Sequence, residues 1–558
     1  MTSNTVSLKK ESLKTESSTV KASTNSPLPS QEYPTTGRYD KDVSFVSNLP
    51  SLDKYQIGHI RHIENLAHQL DNEWAHMGIR YPFQEGFESL RYQLAYMAYA
   101  IGLAHFNRLP AAPGYFRSTF DRLIQKMLLP DVWYYWRETS RGGGAANYDA
   151  PMSEGWIDPV LKDNIMYSAY VQSMSVMYNF LFNDDKYTKP GALTFKFNPI
   201  LFAWDTREDF VYDQNSLNDH IYWRMVESGY LGIACEPYCV FLICNQPAIL
   251  AFRLHDILHG TSRAQEVTEG YLAAWKDFGF TDANGFFNTY VKSHINEVQP
   301  NIYGPWSDGW LGALLNTWQP ELVRKQYHRV IDKWTLELDD GSAYVPPKIM
   351  KDDSDADISV GSALDFGWVC MWTSEMGDNE RLARYFKYAD TYLNPTWEKG
   401  GYFYPRNDQL EDDNGNMILT SPCAGNSLLP YARLNVEDGL WAMYNKPWDK
   451  SHFAEPLLDR ISDNIDVSRA KYFAEHKKLV FSLQARKDRR GDATIEIANA
   501  YADGRNTGIL TRNGTVIASF KESTITTNSS DLGLSQQDDR LRLTFAPNEH
   551  SDFVMSWY

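Results

Sequence analysis

Twelve helical apolar patterns follow one another through residues 50–447, and they constrain the fold more than any other feature. Each segment carries apolar side chains at positions i, i+3, i+4 and i+7, which gives a helix one buried face. The twelve segments pair as six consecutive hairpins, the number that an (α/α)6 barrel, or toroid, requires. The sequence therefore predicts a mainly α domain over residues 45–450. The predicted helices are 52–76, 87–107, 115–129, 162–182, 215–229, 245–259, 263–278, 307–318, 319–336, 358–376, 378–393 and 426–443.

The periodicity changes on either side of this domain. After about Ser451 several short segments alternate apolar and polar residues, which is typical of half-buried strands. Asn513-Gly514 separates two of them, and this pair accepts the positive φ angles of a two-residue hairpin turn. We therefore predict a small antiparallel β domain over residues 451–558. Residues 1–44 have few large apolar side chains, and we predict a disordered tail there.

Composition limits the classes of partner. Lys and Arg (54) are outnumbered by Asp and Glu (71), and the net charge of −17 disfavours nucleic acid or an anionic membrane as a partner. The chain has no run of 18 apolar residues, so we predict no membrane-spanning segment, and its polar N-terminus indicates no secretory signal. The odd count of five cysteines disfavours a disulfide framework. We therefore predict a cytoplasmic protein. Aromatic residues make up 14% of the chain, enough to line a deep cavity or to pack large helices.

Three cysteines lie close together and form the densest group of reactive residues. Pro237 prevents a helix from running through Cys235, so a loop is predicted there. Asn245 then suits an N-cap, with Pro247 in the first turn of the next helix. This places Cys244 at a helix N-terminus, where the helix dipole favours a thiolate. The alternatives are a buried, inert thiol and a zinc site, although no second ligand cluster occurs at zinc-finger spacing.

Other polar motifs have structural explanations. His255 and His259 share a helix face at the i, i+4 spacing of zinc proteases, but Gly260 follows at once, so His259 is expected to cap the helix C-terminus. The acidic run that ends at Asp357 is expected to be a solvated loop. The glycines after Arg141 follow no strand and lack the Lys-Ser/Thr that a phosphate loop requires. These motifs thus predict no metal site and no phosphate-binding loop.

The cysteine region resembles the linalool dehydratase/isomerase family. The similarity extends over about residues 71–443 and leaves out the predicted tail and β domain. Its motifs are individually short but occur in the same order as in the family. They are Tyr92 with its aromatic helix, Val132-Trp133-x-x-Trp136, Asn164-Ile165-Met166-Tyr167, Cys235-Glu236-Pro237 with Phe241 and Cys244-Asn245, Asp256-x-Leu258-His259-Gly260-Thr261, Pro305-Trp306, Val360-Gly361 and Glu375-Met376-Gly377-Asp378.

The resemblance implies an (α/α)6 barrel without metal or organic cofactor, in which acid and base side chains add or remove water in an apolar cavity. It implies catalytic roles for three residues and substrate contacts for four positions of the cavity wall. The implied catalytic residues are Cys235, Cys244 and Asp71, and the implied substrate-binding positions are Tyr92, Met166, Tyr170 and Trp310.

Several of these positions depart from the family pattern. Tyr170 stands where the family has a histidine, and Trp310 stands where it has a tyrosine. The tyrosine that partners the family acid corresponds to Met77, unless Tyr81 replaces it. The cysteines that flank the family's disulfide are absent, which agrees with a cytosolic protein. The cavity is therefore expected to lack a group that titrates near neutrality and to be more aromatic, and aromatic faces stabilise cations.

The sequence thus predicts a cofactor-free lyase or isomerase. It would dehydrate, isomerise or cyclise a small apolar terpenoid or prenylated substrate of secondary metabolism. One alternative is a carbohydrate-active (α/α)6 enzyme with two of Asp71, Glu236 and Asp357 as its carboxylate pair. The other is a non-catalytic protein that binds an apolar ligand. Homo-oligomerisation stays open.

Overall fold

The computed structural model of the protein describes residues 35–78, 88–142, 144, 146–198, 207–301, 304–346, 350–351, 357–358, 365–522 and 524–558. Residues 1–34 of the predicted tail, Tyr81, Val360-Gly361 and most of the acidic run before Asp357 lie outside these ranges.

The chain is helical up to about residue 445, and each of the twelve predicted helices overlaps a helix of the structure. Two single π-helical turns, Ala104–Arg108 and Ala424–Leu428, interrupt the regular pattern at the end of one helix and the start of another. The helices are α1 Asp40–Ser47, α2 Lys54–Ala67, α3 Leu90–Leu103, α4 Pro113–Met127, α5 Pro130–Trp133, α6 Trp136–Thr139, α7 Ile165–Phe182, α8 Gln214–Glu227, α9 Leu242–His259, α10 Arg263–Ala274, α11 Pro305–Leu315, α12 Pro320–Trp334, α13 Asp365–Glu375, α14 Asn379–Tyr392, α15 Leu429–Leu434 and α16 Gly439–Asn445.

Six of these helices pack in a closed sequence. Helix α3 packs on α7, α7 on α9, α9 on α11, α11 on α13 and α13 on α15, and α15 returns to α3. Every residue of α3, α7 and α11 is buried, as expected for helices enclosed on all sides. Helices α4, α8, α10, α12 and α14 each pack on the outside of one or two members of this sequence.

Local sequence signals set several helix ends. Asp53 accepts hydrogen bonds from the backbone N–H groups of Tyr55 and Gln56, both at 2.8 Å, and forms a capping box that starts α2. Pro113, Pro305 and Pro320 each stand in the first turn of their helix, where the missing N–H costs nothing.

Short antiparallel strands join the helices. Among them β3 Cys239–Phe241, β4 Tyr290–Lys292 and β5 Glu297–Gln299 form a three-stranded sheet beside the start of α9. The others form two-stranded hairpins. They are β1 Phe195–Phe197 with β2 Glu208–Phe210, β6 Leu336–Glu337 with β7 Ala343–Tyr344, β8 Met350–Lys351 with β9 Asp357–Ile358, and β10 Thr396–Glu398 with β11 Gly401–Phe403.

Residues beyond 456 form two antiparallel sheets, with strand orders β13-β14-β21-β16-β17-β18 and β12-β15-β20-β19. Asn513 (φ 51°) and Gly514 (φ 78°) connect β16 to β17 with the positive φ angles that the sequence predicted. The strands are β12 Leu457–Ile461, β13 Ile465–Phe473, β14 Lys478–Ala485, β15 Ala493–Ala498, β16 Thr507–Arg512, β17 Thr515–Lys521, β18 Thr524–Thr527, β19 Leu532–Gln537, β20 Arg540–Phe545 and β21 Ser551–Trp557.

The helices and the sheets share one contiguous apolar core. A buried ionic network also crosses between them. Asp466 of β13 accepts from Arg486 at 2.9 Å and from Arg61 of α2 at 3.4 Å, while Arg486 also contacts Glu64 of α2 at 2.9 Å. Because each charge has partners on another element, this network joins α2 to strand β13 and to the residue that follows β14.

Helix α1 begins at Asp40, inside the segment predicted as a tail. Asp42 is 1% exposed. Its carboxylate contacts the ammonium of Lys478 on β14 and accepts a hydrogen bond from Thr511 at 2.9 Å. These contacts join the described end of the predicted tail to strands β14 and β16.

In the described part of the chain, no helix combines the length and apolar character needed to cross a bilayer.

A buried carboxyl in α11 predicts pH-dependent stability. Asp308 accepts from the Phe287 N–H at 2.8 Å and from the Asn301 side chain, and burial raises its pKa to about 8. Between its unfolded pKa of about 4 and its folded value, the folded state holds a proton that the unfolded state has lost. We therefore expect stability to fall as pH rises from 5 to 8, and Asp308→Asn to flatten that slope in thermal unfolding. An unchanged slope in the variant would contradict this assignment.

Candidate functional site

A pocket of about 420 Å3 opens beside the start of α9. Its wall combines aromatic and aliphatic side chains with one guanidinium, two carboxyl groups and two thiols. The described residues that line it are Arg91, Tyr92, Tyr135, Glu138, Thr139, Gly142, Gly144, Ala146, Asn147, Met166, Cys235, Glu236, Phe241, Ile243, Cys244 and Trp310.

The structure brings five of the seven predicted site residues into this one wall. Cys235, Cys244, Tyr92, Met166 and Trp310 come from four helices and a loop, and all of them are buried. Sequence positions from 92 to 310 thus converge on a single cavity.

Tyr170 lies behind the wall and does not line the pocket. Its ring packs edge-on against Tyr92 with centroids 6.1 Å apart, and against Tyr96 at 5.9 Å. Tyr170 therefore supports the Tyr92 ring that faces the cavity, and the substrate contact predicted for it stays a prediction.

Asp71, for which a role as a catalytic acid or base was predicted, does not line this pocket. Its side chain is 66% exposed and pairs with Arg122 at 3.3 Å. Met77, which corresponds to the partner of the family acid, is also absent from the lining. The carboxyl groups that the described residues do place in the pocket are those of Glu138 and Glu236.

Backbone hydrogen bonds hold the Cys235 loop in place. The Cys235 N–H donates to the Cys239 carbonyl at 2.8 Å, and the Cys239 N–H donates to Glu236 at 2.9 Å. The Asn164 N–H donates to the Cys235 carbonyl at 3.0 Å, which ties the loop to the start of α7. The loop predicted from Pro237 is thus confirmed, and its two anchors fix the Cys235 thiol at the pocket wall.

Helix α9 begins three residues earlier than predicted, at Leu242, and Phe241 rather than Asn245 is its N-cap. The Asn245 side chain instead accepts from the Ile233 N–H at 2.9 Å and donates to the Ile233 carbonyl at 3.1 Å. Gly232 leaves room for this amide, since a Cβ there would lie 2.9 Å from Asn245 Nδ2. Asn245 therefore clamps the preceding loop.

Cys244 still lies in the first turn of α9, as predicted, but its thiol is not acidified. Burial, together with a hydrogen bond to Cys235, raises the pKa of Cys244 well above its ordinary value. The expected effect of the helix dipole is outweighed because the thiol is 2% exposed and a buried thiolate is poorly solvated. Cys244 is a protonated thiol at neutral pH.

Cys235 is the better thiolate of the pair. The hydrogen bond from Cys244 lowers its pKa, and the charge of Arg91 and the Met166 N–H act in the same direction. Burial and the charge of Glu236 nevertheless leave that pKa above its ordinary value. Both thiols are therefore protonated at neutral pH, and Cys235 is the one that loses its proton more readily.

Arg91, in the first turn of α3, supplies the positive charge of the wall. It is 4% exposed, and its guanidinium carbon lies 4.1 Å from the ring centre of Tyr135 and 4.6 Å from that of Tyr92. The Tyr135 hydroxyl donates to Asn164 at 2.6 Å, so this ring is fixed in turn. Two tyrosine faces thereby hold the guanidinium against the cavity.

Trp310 forms the aromatic back of the pocket. Its ring stacks on Trp368 with centroids 4.3 Å apart, and its N–H donates to the Tyr96 hydroxyl. Its centroid lies 5.6 Å from that of Tyr92, in an edge-on arrangement. The Trp310 ring is thus held by packing on helices α3 and α13.

The histidine pair belongs to the end of α9 and lies away from the pocket. His259 is the last residue of the helix, and Gly260 follows with φ 70° in the left-handed region, so the predicted C-terminal cap is confirmed. His255 contacts the Asn215 side-chain oxygen at 3.3 Å. Within the described ranges, no group of three or more His, Cys, Asp or Glu is placed to hold a metal ion.

Arg91, Tyr135, Glu138 and Asn147 also line the pocket, and they were not predicted from the sequence. Arg91 had one usable signal, a charge within the uninterrupted aromatic pattern of α3. Glu138 lies in the short helix α6, Tyr135 directly precedes this helix and Asn147 follows it, and only the folded chain brings this segment to Cys235. Asn147 illustrates this, because its amide donates to the Pro237 carbonyl at 2.6 Å.

The sequence model of one protein family, described as linalool dehydratase/isomerase, matches residues 91–410 of this chain. The match contains every described residue that lines the pocket, and Asp71 precedes it.

Solved structures of similar shape have low sequence identity to this chain. One is an inactive variant of the α-1,6-mannanase GH76A of Salegentibacter sp. HEL1_6 with α-1,6-mannotriose (TM-score 0.38, 12% identity, 68% of this chain and 99% of that chain). Another is the Lin0763 protein from Listeria innocua (TM-score 0.38, 9% identity, 68% and 96%). A third is endoglucanase CelQ from Clostridium thermocellum with cellotriose (TM-score 0.32, 10% identity, 90% and 92%). These similarities are too weak to bear on function.

Proposed function

The chain belongs to the linalool dehydratase/isomerase family, and we propose that it is a cofactor-free lyase or isomerase. Its substrate would be a terpenoid or a prenylated molecule that lies in the pocket beside Cys235 and Cys244. The outcome would be dehydration, isomerisation or cyclisation. We assign the enzyme to secondary metabolism and to the cytoplasm, and the five buried, unpaired cysteines support a reducing compartment.

The observation that carries this proposal is the pair of buried thiols, Cys235 and Cys244, in the wall of an aromatic pocket. A protonated thiol and a neighbouring base are what acid–base chemistry on an alcohol requires. In a dehydration, Cys244 would give its proton to the departing hydroxyl, so that water leaves. A base would then take a proton from the adjacent carbon to form the alkene.

Glu236 can serve as that base, because it follows Cys235 in the same loop and lines the pocket. Cys235, the more acidic thiol of the pair, is protonated at neutral pH and would partner Cys244. Positive charge that develops on the substrate would lie near the rings of Tyr92 and Trp310, and such contacts are worth ~0.5–2 kcal/mol each.

We further propose that the closed sequence of helices is an (α/α)6 barrel. Six buried helices in closed order and an outer set packed on them support this arrangement. The pocket would then lie at one mouth of the barrel, where the loops around residues 138–147 and 232–241 meet.

The proposal is tested by product formation from allylic terpenoid alcohols. Purified full-length protein, after treatment with a chelator, is incubated with primary and tertiary C10 and C15 alcohols, and products are identified by gas chromatography and mass spectrometry. We expect alkene or rearranged alcohol products from at least one substrate, and none with the Cys235→Ala/Cys244→Ala double variant. The same product from the double variant would reject the thiol mechanism.

A single substitution tests the carboxylate. Glu236→Gln is expected to lower kcat by about 10²–10⁴-fold, the range for loss of an acid–base group, without loss of thermal stability. Asp71→Asn is the matched comparison, because it removes a carboxylate outside the lining. Steady-state kinetics on both variants show which carboxylate the reaction needs. A loss of kcat confined to Asp71→Asn would support the catalytic role that the resemblance implied for Asp71.

The carbohydrate-active alternative has less support. Of its three candidate carboxylates, Asp71 is exposed and the side chain of Asp357 lies outside what the structure describes, which leaves Glu236. Substitution of Cys235 and Cys244 distinguishes the two functions, because glycoside hydrolysis uses carboxyl groups and does not need these thiols.

A further inference from the structure

We infer that the side-chain oxygen of Asn147 accepts a hydrogen bond from the hydroxyl group of the substrate. The pocket would then bind an alcohol in preference to an ether or a halide of the same skeleton, because a site built to pair with a hydroxyl group rejects analogues that lack it. This inference rests on the proposed function and adds a specificity-determining residue to the same pocket.

The hydrogen bond to Pro237 fixes the orientation of the Asn147 amide. The side-chain nitrogen of Asn147 lies 2.6 Å from the Pro237 carbonyl oxygen. A carbonyl oxygen accepts hydrogen bonds and donates none, so the NH2 end of the amide must face Pro237. The Oδ1 atom of Asn147 is therefore turned away from that carbonyl.

This Oδ1 atom is a buried acceptor in the pocket wall. Asn147 is 0% exposed and lines the pocket, and within the described ranges its Oδ1 has no hydrogen-bond partner. Buried polar atoms are almost always paired, so this oxygen requires a donor from the ligand. Of the groups that a terpenoid carries, a hydroxyl supplies such a donor, whereas a carbonyl or an ether offers only acceptors.

Gly144 leaves space beside this oxygen. Both residues line the pocket, and a Cβ atom at Gly144 would lie 3.5 Å from Asn147 Oδ1. Because glycine has no such atom, this volume is open to a ligand oxygen at hydrogen-bonding distance. The segment is also held in place, since the Asn147 N–H donates to the Gly144 carbonyl at 3.0 Å and Tyr290 donates to the Ala146 carbonyl at 3.0 Å. The acceptor and the space beside it are thus preorganised.

The contact with Pro237 also places Asn147 against the loop that carries a reactive thiol. Pro237 follows Cys235 by two residues, and the Cys235 N–H closes this loop by donating to the Cys239 carbonyl at 2.8 Å. A hydroxyl that donates its hydrogen to Asn147 keeps both lone pairs on its oxygen, and one of them stays available to the Cys244 proton. The two contacts do not compete, so a single hydroxyl can make both.

Three saturated probes with one carbon skeleton test this inference. They are tetrahydrogeraniol, its analogue with fluorine in place of the hydroxyl group, and its methyl ether. None of them can form an allylic cation, so their binding to the full-length protein is measured without turnover by isothermal titration calorimetry. We expect the alcohol to bind about 5–100-fold more tightly than the fluoride, because the fluoride leaves a buried acceptor unpaired. The methyl ether should also bind less tightly than the alcohol.

Two substitutions of Asn147 separate acceptance of the hydroxyl from support of the loop. Asn147→Leu removes the oxygen together with the contact to Pro237, and it should lower the alcohol-to-fluoride ratio of affinities by about fivefold or more. Asn147→Asp keeps an oxygen acceptor but lacks the amide N–H, and it should retain that ratio within about threefold. A role confined to support of the loop would change both affinities alike and leave the ratio unchanged in each variant.

Gly144→Ala tests the same hydrogen bond without altering the contact with Pro237. The added methyl group takes the space beside Asn147 Oδ1, so the alcohol-to-fluoride ratio should fall. Asn288→Leu is the matched control, because Asn288 is also buried and its amide donates to a backbone carbonyl, that of Gly279 at 2.9 Å, but it is absent from the described pocket lining. It should leave the ratio within about twofold of the wild-type value.

The outcomes distinguish this inference from the proposed function. Equal affinity of the wild-type protein for alcohol and fluoride, or an unchanged ratio in Asn147→Leu or Gly144→Ala, would overturn the inference and leave the thiol mechanism untouched. Failure of all three probes to bind would reject the isoprenoid class itself, and with it the inference.

Discussion

Cys244→Ala is expected to lower kcat by about 10²–10⁴-fold while the protein stays folded, because it removes the protonated thiol of the pair. Burial keeps the Cys244 proton in place, and the thiol faces the pocket. Cys235→Ala should cause a loss of similar size, because it removes the partner thiol beside Cys244 in the pocket wall. The two losses should be far from additive in the double variant, since the thiols act as a unit.

Cys370→Ala is the matched control for these variants. Cys370 is also a free, fully buried thiol, but it lies in α13 and does not line the pocket. Its kcat should stay within about twofold of wild type. Steady-state kinetics and thermal unfolding on the three variants make the comparison. Full activity of Cys244→Ala or Cys235→Ala would end the thiol mechanism.

Trp310→Ala is expected to change both stability and catalysis. The ring is 0% exposed and stacks on Trp368 at 4.3 Å, so its removal should destabilise the fold by ~3–5 kcal/mol, as for other large core side chains. In addition, kcat per folded molecule should fall more than KM rises, because a face that stabilises a cation acts near the transition state. Trp310→Phe should lose less stability and less kcat than Trp310→Ala.

Trp368 separates the two effects. It is also fully buried and forms the other half of the stacked pair, but it is absent from the pocket lining. Trp368→Phe should therefore lower the melting temperature by an amount similar to Trp310→Phe while kcat per folded molecule stays unchanged. If Trp310→Phe also leaves kcat unchanged, Trp310 is a core residue alone and cation stabilisation by this ring is excluded.

Helix periodicity predicted most of the secondary structure because it is a local property. The pattern of α7 shows this, since its predicted span of 162–182 differs from Ile165–Phe182 only at the start. The prediction of a helix start was wrong where one type of side chain can form two kinds of contact. Asn245 has the side chain of an N-cap, yet its amide binds Ile233, twelve residues earlier in the chain. Local sequence does not reveal which backbone groups a distant segment will present.

The site was predicted in part through the resemblance, which identified Cys235, Cys244, Tyr92, Met166 and Trp310 together. It also led to Asp71, whose carboxylate pairs with Arg122 at the surface. A shared motif shows which residues correspond to those of the family. Whether such a side chain reaches the cavity depends on the conformation of the loop in which it lies.

The order of helices, the change to strands near residue 451 and the hairpin at Asn513-Gly514 follow from the sequence alone, because each depends on neighbours a few residues apart.

The chemical properties of the pocket depend on the tertiary structure. Burial keeps the proton on Cys244 despite its helix N-terminal position, and the rings of Tyr92 and Tyr135 hold Arg91 at the wall. These properties follow from solvent exclusion and from contacts between residues far apart in the chain, and such effects enter only when the helices close around the cavity.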